Sequence, residues 1–268
     1  MKMVAAARLR RAQDQILAAR PYAYHLRDVI RHVAGLTETP HPLLEPRPIK
    51  GVCLIVVTAD RGLCAGFNTN IARKATEVFR GLDGLDRRLL AVGRKGRDHF
   101  RRREVPLEAE YTQLFRALRF SHAQDIVSTV LRLYHARAVD RVVVVYNEFK
   151  SAIRQQVVVE DLLPLSPRVL AEEPPPGGAM RARVDYLYEP APPALLDSLI
   201  PRQLNIQMWR MLLESNAAEQ AARMTAMDAA TDNAGEIIQN LTQLFNRTRQ
   251  QTITKELSEI VGTAEALK

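Results

Sequence analysis

The sequence predicts a mixed α/β protein carrying a long α-helical coiled coil, an antiparallel pair built from the two chain ends. Three observations predict it. Arg202 to Lys268 contains no proline and only Gly235 and Gly262, and Ala, Gln, Glu, Leu, Met and Arg dominate it, so helix propensity stays high. Residues 1 to 35 carry a second helical stripe. Between these ends, short continuous apolar runs alternate with amphipathic segments, the pattern of an α/β sheet.

The N-terminal stripe runs Ala5, Leu9, Ala12, Ile16, Ala19, Ala23, Leu26, Ile30, Val33. The steps alternate between four and three residues, a regular coiled-coil seam. Pro21 lies inside it and predicts a local kink, because it removes one backbone donor. Gly35 to Pro48 reads as a linker, held extended by Pro40, Pro42, Pro46 and Pro48.

Residues 49 to 165 form the predicted α/β domain. Val52 to Thr58 is an unbroken apolar run, the mark of a strand buried on both faces. A loop follows from Asp60 to Asn70 with Gly62 and Gly66, then a helix to about Arg80. Arg88 to Val92 reads as a second strand, followed by a basic helix. Residues 105 to 112 hold a third strand, and Ser121 is placed to cap a helix running to about Arg137. Arg141 to Asn147 is another buried strand, and Ala152 to Leu163 returns beside it as a hairpin partner. Strand–helix alternation predicts a mostly parallel, doubly wound, Rossmann-like sheet.

Residues 166 to 193, rich in proline and acid, read as a mobile surface loop and foot. From 194 to 268 the chain is the C-terminal helix, with a bend expected at Pro201. Its proposed seam is Ile206, Trp209, Leu213, Ala217, Ala221, Met224, Met227, Thr231, Ala234, Ile238, Leu241, Phe245, Thr248 and Thr252, a mean spacing of about 3.5 residues. The seam then shifts to Ile253, Leu257, Ile260, Ala264 and Leu267. At about 1.5 Å per residue the stretch from Arg202 makes a rod of roughly 100 Å, too long for one globular domain to bury.

Composition narrows the function. Hydrophobic residues are 47% and charged residues 25%, a folded composition. No apolar run approaches the roughly 20 residues of a membrane span, and the N-terminal apolar run is too short for a secretory signal, which predicts a cytoplasmic chain. Two cysteines, Cys53 and Cys64, read as buried thiols in a reducing compartment. Six histidines show no ligand spacing, so neither metal nor cofactor is expected. The net charge of +8 and pI near 9.8 favour an acidic partner. Its sharpest cluster is Arg94-Lys95-Gly96-Arg97-Asp98-His99-Phe100-Arg101-Arg102-Arg103, read as a solvated helix face or as a phosphate-contacting site. Aromatic residues are only 6%, too few for a base-stacking platform.

Asp60-Arg61-Gly62-Leu63-Cys64-Ala65-Gly66, between a strand and a helix, has the outline of a phosphate-cradling turn. It lacks both the GxGxxG spacing and the Walker lysine–serine ending. The glycines are expected simply to turn the chain. No nucleophile–base pair or acid pair is supported, so no catalytic residue is expected.

Four segments carry a family resemblance: residues 1 to 13; Thr58 to Asn68; Tyr186-Leu187-Tyr188-Glu189-Pro190; and Glu214 to Val261, centred on Ala221-Ala222-Arg223-Met224-Thr225-Ala226-Met227-Asp228. Together they resemble the gamma subunit of the F-type proton-translocating ATP synthase. The resemblance implies a non-catalytic rotor shaft. It would transmit rotation of a membrane ring of c subunits to a ring of three alpha and three beta subunits, and regulate ATPase activity and proton flow. It implies alpha, beta, epsilon and c subunits as partners and no nucleic acid. It also implies a peripheral position on the cytoplasmic face of a bacterial inner membrane, reached through the c ring.

By position, the resemblance sets Met1, Lys2, Arg223, Gln250 and Thr254 toward the catalytic ring and Tyr186, Tyr188 and Glu189 at the foot on the c ring. Asp60, Arg61, Gly62, Gly66 and Asn68 form its structural turn. It further implies that charge reversal at Arg223 weakens coupling more than folding. Two departures accompany it. Ala65 stands where the family usually has glycine, at a place expected to need positive φ. About twenty residues usually precede the point matching Met1, so either the start lies upstream or the neck is shorter. With Val33 near Trp209, a partner starting at Met1 would reach about Leu241. The absence of a chloroplast-type insert and of a transit peptide favours a bacterial source. The other readings are a nucleic-acid-binding coiled-coil protein, from the charge, and a nucleotide-dependent enzyme, from the sheet.

Overall fold

A computed structural model of the chain describes residues 1–35, 41–152, 154–165 and 191–266. Residues 166–190 of the expected mobile loop and foot, with Tyr186, Tyr188 and Glu189, lie outside the described residues, as does part of the proline linker; the last residues of that loop, Pro192 and Pro193, already belong to the C-terminal helix.

Helix α1 spans Lys2–Ala34 and runs through Pro21 as one helix. Every position of its predicted seam is buried or half-buried, and Ile30 and Val33 are fully enclosed. The central sheet holds β1 (Gly51–Val57), β2 (Asp86–Val92), β3 (Ala109–Tyr111), β4 (Arg141–Phe149) and β5 (Gln155–Leu163). Its order is β3-β2-β1-β4-β5, with β5 antiparallel to β4 and the other pairs parallel. Helices α2 (Phe67–Arg80), α3 (Arg94–Arg101) and α4 (Phe120–His135) connect the strands.

The alternation of strand side chains sorts the core into two layers. Cys53, Ile55 and Val57 of β1 join α4, α1 and the C-terminal helix, while Val52, Leu54 and Val56 join α2 and α3. Because both faces are covered, β1 reads as a continuous apolar run and is buried throughout. Helix α4 starts one residue before the expected Ser121 cap. Its cap is Arg119, whose backbone N–H donates to His122 Nδ1 (3.2 Å) while the His122 N–H donates back to the Arg119 carbonyl. The imidazole takes the part of the N3 side chain in a capping box by accepting the cap residue's own N–H, while the His122 N–H that a serine hydroxyl would accept goes to a backbone carbonyl.

The C-terminal helix α5 runs Pro192–Ala266, through Pro201. By its internal packing the chain forms two units, Met1–Thr225 and Ala226–Lys268. Within the first, Leu9, Ala12 and Ile16 of α1 cluster with Leu213, Ala217 and Ala221, and Leu26, Ile30 and Val33 cluster with residues of the 196–212 stretch. The early part of α1 therefore meets the later part of this stretch, which is the antiparallel sense expected. The seam is not a single stripe. Leu204, Met208, Met211, Leu212, Ala218 and Ala222 are also buried, against the sheet and its helices. A strict seam undercounts them because this part of α5 has two neighbours, not one.

The second correction is one of reach. Leu9, Ala12 and Ile16 group with positions up to Ala221, with Met224 packed against them. Ile238 and Leu241, expected to be covered, are 63% and 59% exposed. In the second unit Ile237, Leu244, Phe245, Ile253, Leu257 and Ile260 are exposed as well.

Ala217 is fully buried. Ala217→Leu is expected to lower the urea unfolding free energy of the full chain by about 1–3 kcal/mol through overpacking. Ile238→Ala, at an exposed helical position, is expected to stay within about 0.5 kcal/mol of the parent. Equal effects of the two substitutions would contradict this packing.

Candidate functional site

The site begins where β1 ends. Thr58 is buried, and its hydroxyl donates to the Val92 carbonyl (3.0 Å) and accepts the Gly96 N–H (2.7 Å), tying the loop after β1 to the loop after β2. Gly93 makes that approach possible: its φ is +89°, and a Cβ there would stand 2.0 Å from the Thr58 carbonyl oxygen.

Two side chains hold the next residues, Asp60 in the turn and Asn68, which lies in the first turn of α2 rather than in the expected loop to Asn70. Asp60 Oδ1 accepts the backbone N–H groups of Arg94 (3.0 Å) and Gln113 (2.9 Å), so one carboxylate gathers the loops after β1, β2 and β3. Asn68 Oδ1 accepts the Ala59 N–H (2.9 Å), and its Nδ2 donates to the Arg61 carbonyl (3.3 Å) and to Cys64 Sγ (3.2 Å). The expected turn residues are thus brought together, and the left-handed backbone of the turn falls beside its glycines rather than on them. Neither Gly62 nor Gly66 is left-handed; Leu63 (φ +61°) and Ala65 (φ +45°) are. The departure at Ala65 does fall on a positive-φ position.

In an open α/β sheet, ligands bind outside the carboxyl ends of the strands, where the strand order reverses. Here that point lies between β1 and β4, and α5 is packed against the turn beside it. Ala218 and Ala222 lie in one cluster with Val52, Leu54, Val56, Ala59, Cys64 and Phe67. Arg223 Nη2 donates to the Gly62 carbonyl (3.3 Å) and pairs with Glu219 (2.6 Å), whose side chain is 6% exposed. What remains beside them is a space of about 170 Å³, lined by residues including Cys64, Asn70, Asn147, Gln155 and Thr225. The nucleotide-dependent reading of this turn therefore finds its crevice taken by the protein's own helix.

A second hold lies on Glu160 of β5. Its carboxylate accepts from Tyr146 Oη (2.7 Å), Gln207 Nε2 (3.1 Å) and Arg210 Nη2 (2.6 Å), linking β4, β5 and α5. Arg210 also lies 3.8 Å from Glu214. Burial pushes the Glu214 carboxyl up to about 7, against the opposing pull of Arg210 and with help from Glu148 and Glu160. Burial likewise raises Glu219, opposed by Arg223, and holds Tyr146 well above the usual phenol range.

Both thiols are buried and unpaired with each other, and burial raises both; Cys53 is pushed up to about 12. A raised thiol is a poor nucleophile at neutral pH. Among the described residues no group of His, Cys, Asp and Glu is arranged to hold a metal, and no helix is long and apolar enough to cross a membrane.

Of the ring-facing residues implied by resemblance, Met1 and Lys2 lie exposed at the start of the chain, and Gln250 and Thr254 lie exposed in the second unit. Arg223 is different: its side chain is 13% exposed and turned inward to Glu219 and Gly62. The Glu160 hub was missed by sequence reading. A lone glutamate on an edge strand gives no signal until the fold sets Gln207 and Arg210 against it.

A sheet that grips a helix at its ligand crevice, with the helix locked by paired charges, defines a structural, helix-clamping protein. The comparisons give the family. The family described as ATP synthase matches residues 1–267. The ATP synthase gamma chain of Chlorobaculum tepidum is 48% identical over 277 residues, covering 100% of this chain and 92% of that relative; that of Heliobacterium modesticaldum is 47% identical over 268 residues with the same coverage. The fold is also that of a chain in the Tetrahymena thermophila mitochondrial ATP synthase central stalk/c-ring structure (TM-score 0.63, 24% identity, 86% of this chain and 97% of that one). A chain of the Euglena gracilis mitochondrial ATP synthase matches likewise (TM-score 0.62, 19% identity, 99% and 94%). The chain belongs to the ATP synthase gamma chain family.

Breaking the buried pair by Arg223→Ala leaves Glu219 uncompensated and is expected to destabilise the full chain by about 3 kcal/mol, read by urea unfolding. Ala65→Gly is expected to stabilise by about 0.5–1 kcal/mol by relieving a left-handed alanine. Glu214 has a raised folded pKa, so the native state holds more protons than the unfolded chain between about 4.5 and about 7. Its contribution to stability therefore falls as pH rises through that window and is flat above it. Glu214→Gln is expected to remove this slope in unfolding midpoints measured from pH 4.5 to 7.5, and an unchanged slope would refute the assignment.

Proposed function

We propose that this chain is the central-stalk rotor subunit of an F-type, proton-translocating ATP synthase. It holds no catalytic residue of its own. Rotation of a membrane c ring enters through the α/β domain and leaves through α5 to the catalytic alpha and beta ring, and in doing so governs ATPase activity and proton flow. The observation that carries this reading is the clamp. A stalk must pass torque from a domain to a helix without slipping, and α5 is held by the Arg223–Glu219 pair on Gly62 and by the Glu160 hub. Family membership supplies the assembly.

The physical logic is one of broken symmetry. A single asymmetric helix surface inside a ring of three alike catalytic sites contacts each site differently, so each orientation favours a different conformation at each site. The exposed apolar positions of the second unit, Ile237, Leu241, Leu244 and Phe245 among them, supply a surface suited to burial against such a ring.

Within this reading Met1, Lys2, Gln250 and Thr254 contact the catalytic ring. Arg223 serves first as an internal lock. Tyr186, Tyr188 and Glu189 belong to the foot on the c ring, beside the epsilon subunit. The protein sits peripherally on the cytoplasmic face of a bacterial inner membrane.

The test is assembly. Co-expressed with alpha and beta subunits of its own source, the chain is expected to co-purify at one copy per three alpha–beta pairs. Gln250→Ala combined with Thr254→Ala is expected to lower ATP-driven proton pumping severalfold while leaving the unfolding midpoint of the free chain unchanged. Full pumping by that double variant would remove these two residues from the contact.

A further inference from the structure

The basic cluster of α3 has no place in the rotor reading, and the fold sets it against a second basic surface. Helices α2 and α3 flank an open cleft of about 720 Å³. Its cations are Arg73 and Arg80 from α2, and Lys95, Arg102 and Arg103 from α3 and the turn after it. Its two carboxylates are both engaged by cations that do not line it: Glu77 with Lys74 (2.9 Å) and Asp98 with Arg97 (2.9 Å). The side chains of Arg80, Lys95 and Arg102 have no partner among the described residues, and Arg73 has only the neutral Asn70 amide oxygen (2.6 Å). The floor is neutral: Thr76 Oγ1 lies 3.2 Å from His99 Nε2, over the buried Ala72.

We propose that this cleft is a binding site for a phosphate-bearing anion. A concave surface lined by one sign of charge focuses its potential and raises the local concentration of the opposite ion. Guanidinium forks match phosphate oxygens with paired hydrogen bonds, and an ammonium adds a point charge. The space is of small-ligand size rather than that of a flat protein interface. No Phe, Tyr or Trp lines it, so it reads phosphate groups and not a base. The shared chemistry is two or more linked phosphates, or a phosphate headgroup presented by a lipid surface.

The experiment uses the full-length chain at low ionic strength. Isothermal titration with pyrophosphate and with ATP tests the soluble source; co-sedimentation with phosphatidylglycerol vesicles, against phosphatidylcholine vesicles, tests the lipid source. The key variant is R80A/R102A, with R116A as control because Arg116 is an exposed arginine outside the cleft. Both key positions are exposed and unpaired, and circular dichroism and the urea midpoint confirm an intact fold. Pyrophosphate binding weakened at least tenfold by R80A/R102A and unchanged by R116A supports the soluble source. Loss of phosphatidylglycerol sedimentation in the same variant, without pyrophosphate binding, supports the headgroup. Binding of neither probe, binding insensitive to R80A/R102A, or displacement of pyrophosphate by an equal charge concentration of polyglutamate would overturn the proposal.

Discussion

The rest of this structure depends on how closely α5 approaches the β1–α2 turn. Helices that meet through large side chains lie about 8–10 Å from their neighbours. Ala217, Ala218, Ala221 and Ala222 remove that bulk on two faces at once, so α1 closes on one and the sheet on the other. Small residues fill the gap with little apolar area and specify register weakly. The polar locks supply what the alanines lack. Glu219 and Arg223 meet Gly62 at one level of the helix, and Gln207 and Arg210 meet Glu160 at another.

Those locks are costly to build. A buried carboxylate such as Glu219 or Glu214 is opposed by desolvation, and only a close cation offsets it. In a protein selected for stability alone, apolar side chains would serve better. In a stalk, directional bonds resist sliding and turning in a way that a non-directional apolar contact does not. The same economy explains the turn itself. Asp60 gathers three loops and Asn68 three more groups, making the platform under α5 rigid despite two left-handed, non-glycine residues.

The Rossmann-like sheet is thereby turned to a new use. Its carboxyl-end crevice, a ligand site in other open α/β sheets, receives a helix of the same chain. The charge that such folds aim at phosphates is found instead on the flank, between α2 and α3. There the excess of arginine and lysine over carboxylate is concentrated rather than neutralised.

Much of this architecture is written in residue order. Local periodicity alone determined α1, because each residue from Ala5 to Val33 in the seam falls on one helical face whatever packs there. It determined β1 and β4, because a strand covered on both faces must be apolar without a break. It also placed Asp60 in a turn, whereas Asn68, expected in the same loop, lies in the first turn of α2. Tertiary structure alone decided how far the α1 seam extends along α5, since a seam's period carries no register when alanine fills it. It decided that Leu204, Met208 and Met211 face the sheet, that Leu63 and Ala65 rather than the glycines take positive φ, and that Arg223 turns inward. The Glu160 hub joins residues 47 and 50 positions apart in the chain. No local pattern encodes such a contact; only the return of α5 across β5 creates it.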